Sequence, residues 1–257
     1  MAVTATYAFG ASDPAETVQF ARLLAYLVIG AAAAVLLYYL TTFVRDVLAD
    51  GFSFEWGYLA AGTAAAVVYG LSGALSVLVD AVWLAAFTEG AVLFFILFVA
   101  LGIRATYHVA GSFGDGSRLL PVWLDYLVIA AFIVAWWAGF LVDRAWTRPV
   151  VAAGWIAASA WAVFYAVRTV RVHEGTSLAA LTRHLLPAVL CVVAVIVVDL
   201  LADVVAVETA IVDAVWLVGT ILVGAFLFNT AVALRQQGGQ VERMYDRTTW
   251  RQQSVEV

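Results

Sequence analysis

The 257-residue chain contains no lysine and a single cysteine, Cys191; only 12% of its residues are charged and only four are proline. Each shortage excludes a class of protein. One cysteine cannot build a disulfide framework. Without a lysine amine, no imine can form on a side chain, so Schiff-base chemistry is closed to the chain. Collagen-like and disordered chains need far more proline, glycine or charge. What the chain has is apolar surface. Its 65% hydrophobic content exceeds the roughly 45–50% of soluble domains, and one core of this size cannot hide it all. The composition is that of an integral membrane protein. The 13 basic residues other than histidine are all arginine, and the net charge is −5. Such a mildly acidic, lysine-free balance suits a high-salt environment.

A bilayer core about 30 Å thick is crossed by roughly 20 apolar helical residues. That length picks out seven segments: 20–44, 57–78, 81–103, 122–142, 150–167, 185–205 and 210–234. The expected fold is therefore an all-α, polytopic bundle of seven transmembrane helices. An exposed tail would precede it (1–19) and a polar tail would follow (236–257), the membrane domain occupying 20–235. The first 19 residues carry no basic region ahead of an apolar stretch, so they read as a tail and not as a cleaved signal. With the N-terminus outside, ten arginines fall on the cytoplasmic side and three, Arg22, Arg144 and Arg148, on the outer side. The positive-inside rule then sets N-out, C-in. The second and third segments adjoin around Val79–Asp80 and should form a tight antiparallel pair. The largest internal connection, 105–121, carries Gly111, Gly114 and Gly116 and reads as flexible.

Two stretches recur. Asp80-Ala81-Val82-Trp83-Leu84 returns as Asp213-Ala214-Val215-Trp216-Leu217, and Tyr39-Leu40-Thr41-Thr42-Phe43-Val44-Arg45 is echoed by Tyr165-Ala166-Val167-Arg168-Thr169-Val170-Arg171. Segments one to three thus look like segments five to seven. A single crossing helix between two three-helix units keeps both in one orientation, the pattern of a parallel repeat. Accidental matching of low-complexity alanine and valine helices is the competing explanation.

Ionisable groups within spans cost several kcal/mol and are functional candidates. Glu89 lies nine residues beyond Asp80, about 13–14 Å along the helix, which places it near mid-bilayer. It is either a proton-handling or ligand-facing carboxyl, or an acid bonded to Thr88 or a neighbouring helix that holds the bundle together. Asp199, Asp203, Glu208 and Asp213 cluster around the connection between the last two segments. Asp203 and Glu208 read as a solvated rim, and Asp199 and Asp213 as deeper. Asp213, Trp216, Leu217 and Thr220 share one helix face, with Asn229 further in. Asp125 suits the N-terminal dipole of its helix. Trp56, Tyr58, Trp123, Tyr126 and Trp146 fall where an interfacial aromatic belt belongs. Trp83, Trp136, Trp137, Trp155, Trp161 and Trp216 lie within spans, where they pack or line a pocket for a flat apolar ligand.

Enzymatic chemistry finds little footing. The histidines His108, His173 and His184 fall in or beside cytoplasmic loops, and no HExxH, CxxC or lysine-bearing phosphate loop occurs. Ser72, Ser76 and Ser159 have no histidine at membrane depth to act as base.

Seven spans, N-out and C-in, with helices one to three related to five to seven, resemble the microbial rhodopsin family. Asp213-Ala214-Val215-Trp216-Leu217-Val218-Gly219 is similar to that family's Asp-x-x-x-Lys-Val-Gly retinal-attachment stretch. Trp83-Leu84 resembles the Trp-Leu after its counter-ion aspartate, and Tyr69-Gly70-Leu71-Ser72 resembles a segment of its second helix. The departures fall on the chromophore site. Leu217 stands where the family has lysine, Val82 where it has the counter-ion carboxylate and Val79 where it has arginine. The sixth segment also lacks the family's Trp-x-x-x-Pro pattern. The resemblance therefore implies a rhodopsin-like bundle that has lost covalent retinal, and a light-driven pump of the usual kind is not expected.

The first functional expectation is an accessory, assembly or signalling component that acts through a membrane-protein partner or a second copy of itself. Its contact surface would be the 105–121 loop and Arg104, Arg118, Arg235, Arg243 and Arg247. The second is a small-solute or proton-coupled transporter or channel with Glu89 and Asp213 lining the path. The third is noncovalent binding of a carotenoid or retinal among the interior tryptophans. Lipid is the expected surrounding in each case, and nothing in the chain suggests nucleic acid.

Overall fold

In the computed structural model the described residues are 14–44, 56–79, 81–110, 123–141, 147–172, 177–205 and 208–253. They form seven long α-helices: α1 (Pro14–Tyr39), α2 (Trp56–Leu78), α3 (Val82–Ala110), α4 (Trp123–Leu141), α5 (Thr147–Val172), α6 (Ser177–Val205) and α7 (Thr209–Gln253). Each coincides with one of the seven apolar segments. Helix α1 opens on Pro14, whose missing N–H costs nothing in a first turn, with Glu16 beside the positive end of the helix dipole. It ends in a π-helical turn, Leu40–Val44. There the Thr41 and Thr42 hydroxyls donate to the Leu37 and Tyr38 carbonyls at 2.7–3.0 Å, which competes with the regular ladder.

Among the described residues, five stretches are long and apolar enough to cross a bilayer: Glu16–Thr42, Trp56–Leu78, Phe87–Ala105, Leu181–Asp199 and Thr209–Gln236. Large apolar side chains also cover the exterior. Phe20, Leu71, Val134 and Val218, on four different helices, are each more than half exposed, a surface that suits lipid and not water. The chain reads as a multi-pass membrane protein. Three buried hydroxyls are satisfied within their own helices: Thr63, Ser159 and Thr230 each donate to the carbonyl four residues back at 2.6–2.8 Å. Such bonds leave few polar groups needing water.

Six helices close a ring in the order α1, α2, α3, α5, α6, α7 and back to α1. Contacts fix their directions. Gly30 meets Gly70, and Gly62 meets Val99; with Tyr26 against Gly73 and Leu59 against Gly102, α1, α2 and α3 are successively antiparallel. Tyr107 packs on Tyr165, and Arg104 lies over Trp161, so α3 and α5 run parallel. Arg22 meets Asp213, and Val28 meets Gly224, so α1 and α7 also run parallel. The two three-helix units, α1–α3 and α5–α7, therefore point the same way. Helix α4 lies outside the ring against α5 and α3, with Trp123, Tyr126 and Trp137 exposed. This is the geometry a parallel repeat requires. The core lies on the ring's inner faces, where Ala33, Ile96, Ala162, Val189 and Leu227 are fully buried. The expected tight pair is present as well, since only three residues separate α2 from α3, the turn closing through Val79 N–H to Leu75 O at 2.8 Å.

Three details differ from the sequence-based expectation. Helix α3 runs on to Ala110, so the 105–121 connection begins as helix; the Tyr107–Tyr165 packing, centroids 5.7 Å apart, anchors that extra length. Its remainder, with Arg118, lies outside the described residues. Helix α7 continues through the polar tail to Gln253, about 25 Å of helix beyond its apolar span. Arg243 and Arg247 sit on this extension. Arg104, expected at the surface, is only 4% exposed. Its guanidinium lies 5.8 Å from the centre of the Trp161 ring, a cation–π placement that keeps a charge tolerable in an apolar setting. Arg235 is exposed as expected.

Candidate functional site

Side chains from all six ring helices meet around a cavity of about 180 Å³. At its floor, near the middle of the spans, the Tyr69 hydroxyl of α2 is hydrogen-bonded to Tyr26 of α1 and Thr220 of α7. The two tyrosine rings meet edge-on with centroids 5.4 Å apart, and Tyr26 meets Trp216 of α7 in the same way at 5.1 Å. Glycine makes the room: a Cβ at residue 73 would collide with the Tyr26 ring. Phe95 of α3 and Trp155 of α5 complete the aromatic wall, and aliphatic side chains of α6 such as Val192 and Ile196 close the other side. Among the described residues, the Trp155 indole Nε1 is buried with no hydrogen-bond partner. An unmatched donor of this kind costs about 1–3 kcal/mol.

Two carboxyl residues line the cavity, Glu89 of α3 and Asp199 of α6, one from each three-helix unit. Both are exposed and stand near the end of the bundle at which α1, α3, α5 and α7 begin. Among the described residues that line the cavity none is basic. Beside Glu89, the Thr88 hydroxyl donates to Ser72 Oγ of α2 at 3.0 Å and to the Leu84 carbonyl at 2.9 Å, which ties α2 to α3 at the level of the rim.

Glu89 is the eighth residue of α3 and is exposed at the mouth of the cavity.

Arg22 and Asp213 form an ion pair between the first and last helices, across 191 positions of sequence. The guanidinium carbon of Arg22 also lies 5.4 Å from the Trp216 ring centroid. The pair closes the α1–α7 seam beside the cavity, half exposed, with 43% and 39% of the two side chains accessible.

The structure thus gathers Glu89, Trp216 and Thr220 at one site and sets the other candidates apart. Asp213 is held by Arg22 and does not line the cavity. Trp83 turns outward, 55% exposed, with its ring edge-on to Phe87. Asn229 is at the opposite end, its amide nitrogen 3.2 Å from His184 Nδ1. Leu217 is half-buried and does not line the cavity, and the Val82 side chain lies outside the described residues.

No family model, curated protein or solved structure matches the chain. Function therefore has to be argued from the site itself.

Sequence patterns pointed to half of this site. Tyr26 and Phe95 escaped notice, and Tyr69 was marked only within a rhodopsin-like segment, because nearly uniform apolar helices carry no polar stripe to show which face turns inward. The one available signal for Tyr69 was its glycine neighbours: Gly70 and Gly73 mark the face of α2 that a partner helix approaches most closely. Chemically, the cavity offers negative charge at its mouth, aromatic faces in its walls, hydroxyls at its floor and one spare donor. Binding is what this constellation is equipped to do.

Proposed function

We propose that the chain is a small-solute transporter of the membrane that binds its solute in the ring cavity, with Glu89 as the carboxyl at the entrance. One observation carries the proposal: every ring helix of both three-helix units contributes a side chain to the same cavity. A binding site at the interface of two repeats is where rocking of one unit against the other alternates access between the membrane faces. N-out, C-in insertion, with all seven helices crossing, is part of the proposal and is supported by the arginine count. The mouth bearing Glu89 would then face outward.

The test is flux. Proteoliposomes holding the full chain should show saturable uptake of at least one member of a panel of labelled amino acids, polyols and alkylammonium ions. Ala66, a buried cavity residue, can be enlarged to fill the space. Ala66→Trp should reduce uptake to the rate of empty vesicles while the protein stays folded by thermal melting, and Val223→Phe serves as a second filled variant. Absence of saturable flux for the whole panel, or wild-type flux in both folded, filled variants, refutes the proposal.

A second role has an observation of its own. Helix α7 projects beyond its apolar span as far as Gln253, and a rigid polar helix of that length suits contact with a protein partner. Truncation after Arg235 that abolishes co-purification of a stoichiometric partner would support it, and a chain that purifies alone would count against it. A rhodopsin-like ancestry is compatible with either role, and its third consequence, a noncovalent polyene, requires a visible absorption band in protein from the native membrane.

A further inference from the structure

We propose that two arginine–tryptophan clamps, Arg22 with Trp216 and Arg104 with Trp161, are the paired gates of the ring, one on each side of its cavity. Their role as gates rests on the transport proposal, whereas their placement rests on contacts of their own. The units α1–α3 and α5–α7 meet chiefly along two seams, α1 against α7 and α3 against α5. Each seam sets an arginine of the first unit over a tryptophan of the second. The guanidinium carbon lies 5.4 Å from the ring centroid for Arg22 on Trp216 and 5.8 Å for Arg104 on Trp161. The two clamps fall on opposite sides of the cavity. Arg22 and Asp213 precede the lining residues Tyr26 and Trp216, about 4–6 Å toward the end at which α1 and α7 begin. Arg104 and Trp161 follow the lining residues Phe95 and Trp155, about 9–14 Å toward the end at which α3 and α5 finish.

The cavity is thus bracketed by contacts that cross from one unit to the other, and rocking of the units has to break such contacts. Opening one end breaks one clamp and leaves the other closed, which is the alternation that two-sided access requires. The clamps differ in strength. Arg22 also pairs with Asp213, but both side chains are more than a third exposed, and ion pairs so open to water contribute little. Arg104 is only 4% exposed, and a desolvated cation is held more firmly by an aromatic face. The end at which α1 begins is therefore the more readily opened one. Trp216 links that gate to occupancy. The same indole carries the Arg22 guanidinium, meets Tyr26 edge-on and lines the cavity, so a solute seated against it bears directly on the clamp.

Side-specific access to the cavity tests the clamps whatever the solute is. Cys191 is the sole cysteine, so Cys191→Ser combined with Thr220→Cys leaves one thiol, placed in the cavity lining. A membrane-impermeant methanethiosulfonate is applied to intact cells and to inverted membrane vesicles, and an N-terminal epitope tag marks the face at which α1 begins. Arg22→Gln should speed modification from that face alone, up to about fivefold. Arg104→Gln should speed it from the opposite face alone, up to about thirtyfold; Trp161→Leu takes its place if that variant fails to fold. Acceleration from both faces, from the wrong face or in only one of the two variants overturns the gates. Opposite, one-sided accelerations in a chain without flux in proteoliposomes uphold the clamps as gates of the cavity and sink the transporter. Saturable flux with access unchanged by either substitution leaves the transporter standing and sinks the clamps.

Discussion

The crossing of α1 and α2 offers a sharp test of the fold, because the two glycines that meet there are not equivalent. A Cβ added to Gly70 would lie 2.5 Å from both the Cα and the N of Gly30 and 2.8 Å from the Tyr26 carbonyl oxygen. A Cβ added to Gly30 would have its nearest neighbours, Gly70 Cα and C and Leu71 N, at 3.5–3.8 Å, which is ordinary contact. The asymmetry arises because the Cα–Cβ bond of each helix tilts toward its own N-terminus, so only one of the two points into the seam. Gly70→Ala therefore requires the helices to separate by about 1 Å, and no side-chain rotation can relieve contacts made by backbone. Overpacking costs about 1–3 kcal/mol, here near the upper end. Replacing a helical glycine by alanine returns about 1 kcal/mol. The net expectation is a loss of about 2 kcal/mol for Gly70→Ala, while Gly30→Ala is neutral or stabilising by up to about 1 kcal/mol. Reversible unfolding in mixed detergent micelles measures both. Equal stability of the two variants, or a Gly70→Ala protein as stable as wild type, would refute the proposed seam. The same variant should also disturb Tyr26 and Tyr69, which flank the crossing and line the cavity.

Two further expectations concern polar contacts. Arg22→Gln, Asp213→Asn and the double variant should give a coupling energy below about 1 kcal/mol by the same unfolding measurement, since both partners are more than a third exposed and such pairs are worth little; coupling of several kcal/mol would show that the seam is sealed from water. Thr88→Val removes the bond to Ser72 and should cost about 0.6 kcal/mol, the average for side-chain bonds between membrane helices; a loss above about 2 kcal/mol would mean that the α2–α3 pair depends on it far more than its geometry indicates.

Helix positions were legible because a bilayer imposes a minimum length of apolar chain, and that signal survives low complexity. Helix ends were less so. The ruler counts apolar residues, whereas a helix stops only where backbone hydrogen bonding stops, which is why α3 and α7 run past Ile103 and Leu234. The site was legible where a polar or ionisable residue interrupted an apolar helix, as at Glu89 and Thr220. It was hidden where aromatic residues faced inward among equally apolar neighbours, as at Tyr26 and Phe95. Contacts distant in sequence were invisible too. Arg22 looked like an outer basic residue and Asp213 like a pathway carboxyl, until the ring brought the first and last helices together. Similar motifs proved unreliable in another way: Trp83 and Trp216 occupy matching positions in the two echoed stretches, yet one faces outward and the other the cavity.

Helix α4 adds little to the ring, but parity makes it indispensable. The two triplets run the same way only because α4 carries the chain back along the bundle between them. Delete it, and α5–α7 would be threaded upside down, sending Asp199 to the opposite end of the bundle from Glu89. The two acids share one vestibule because the polypeptide makes a return stroke that lies outside the ring.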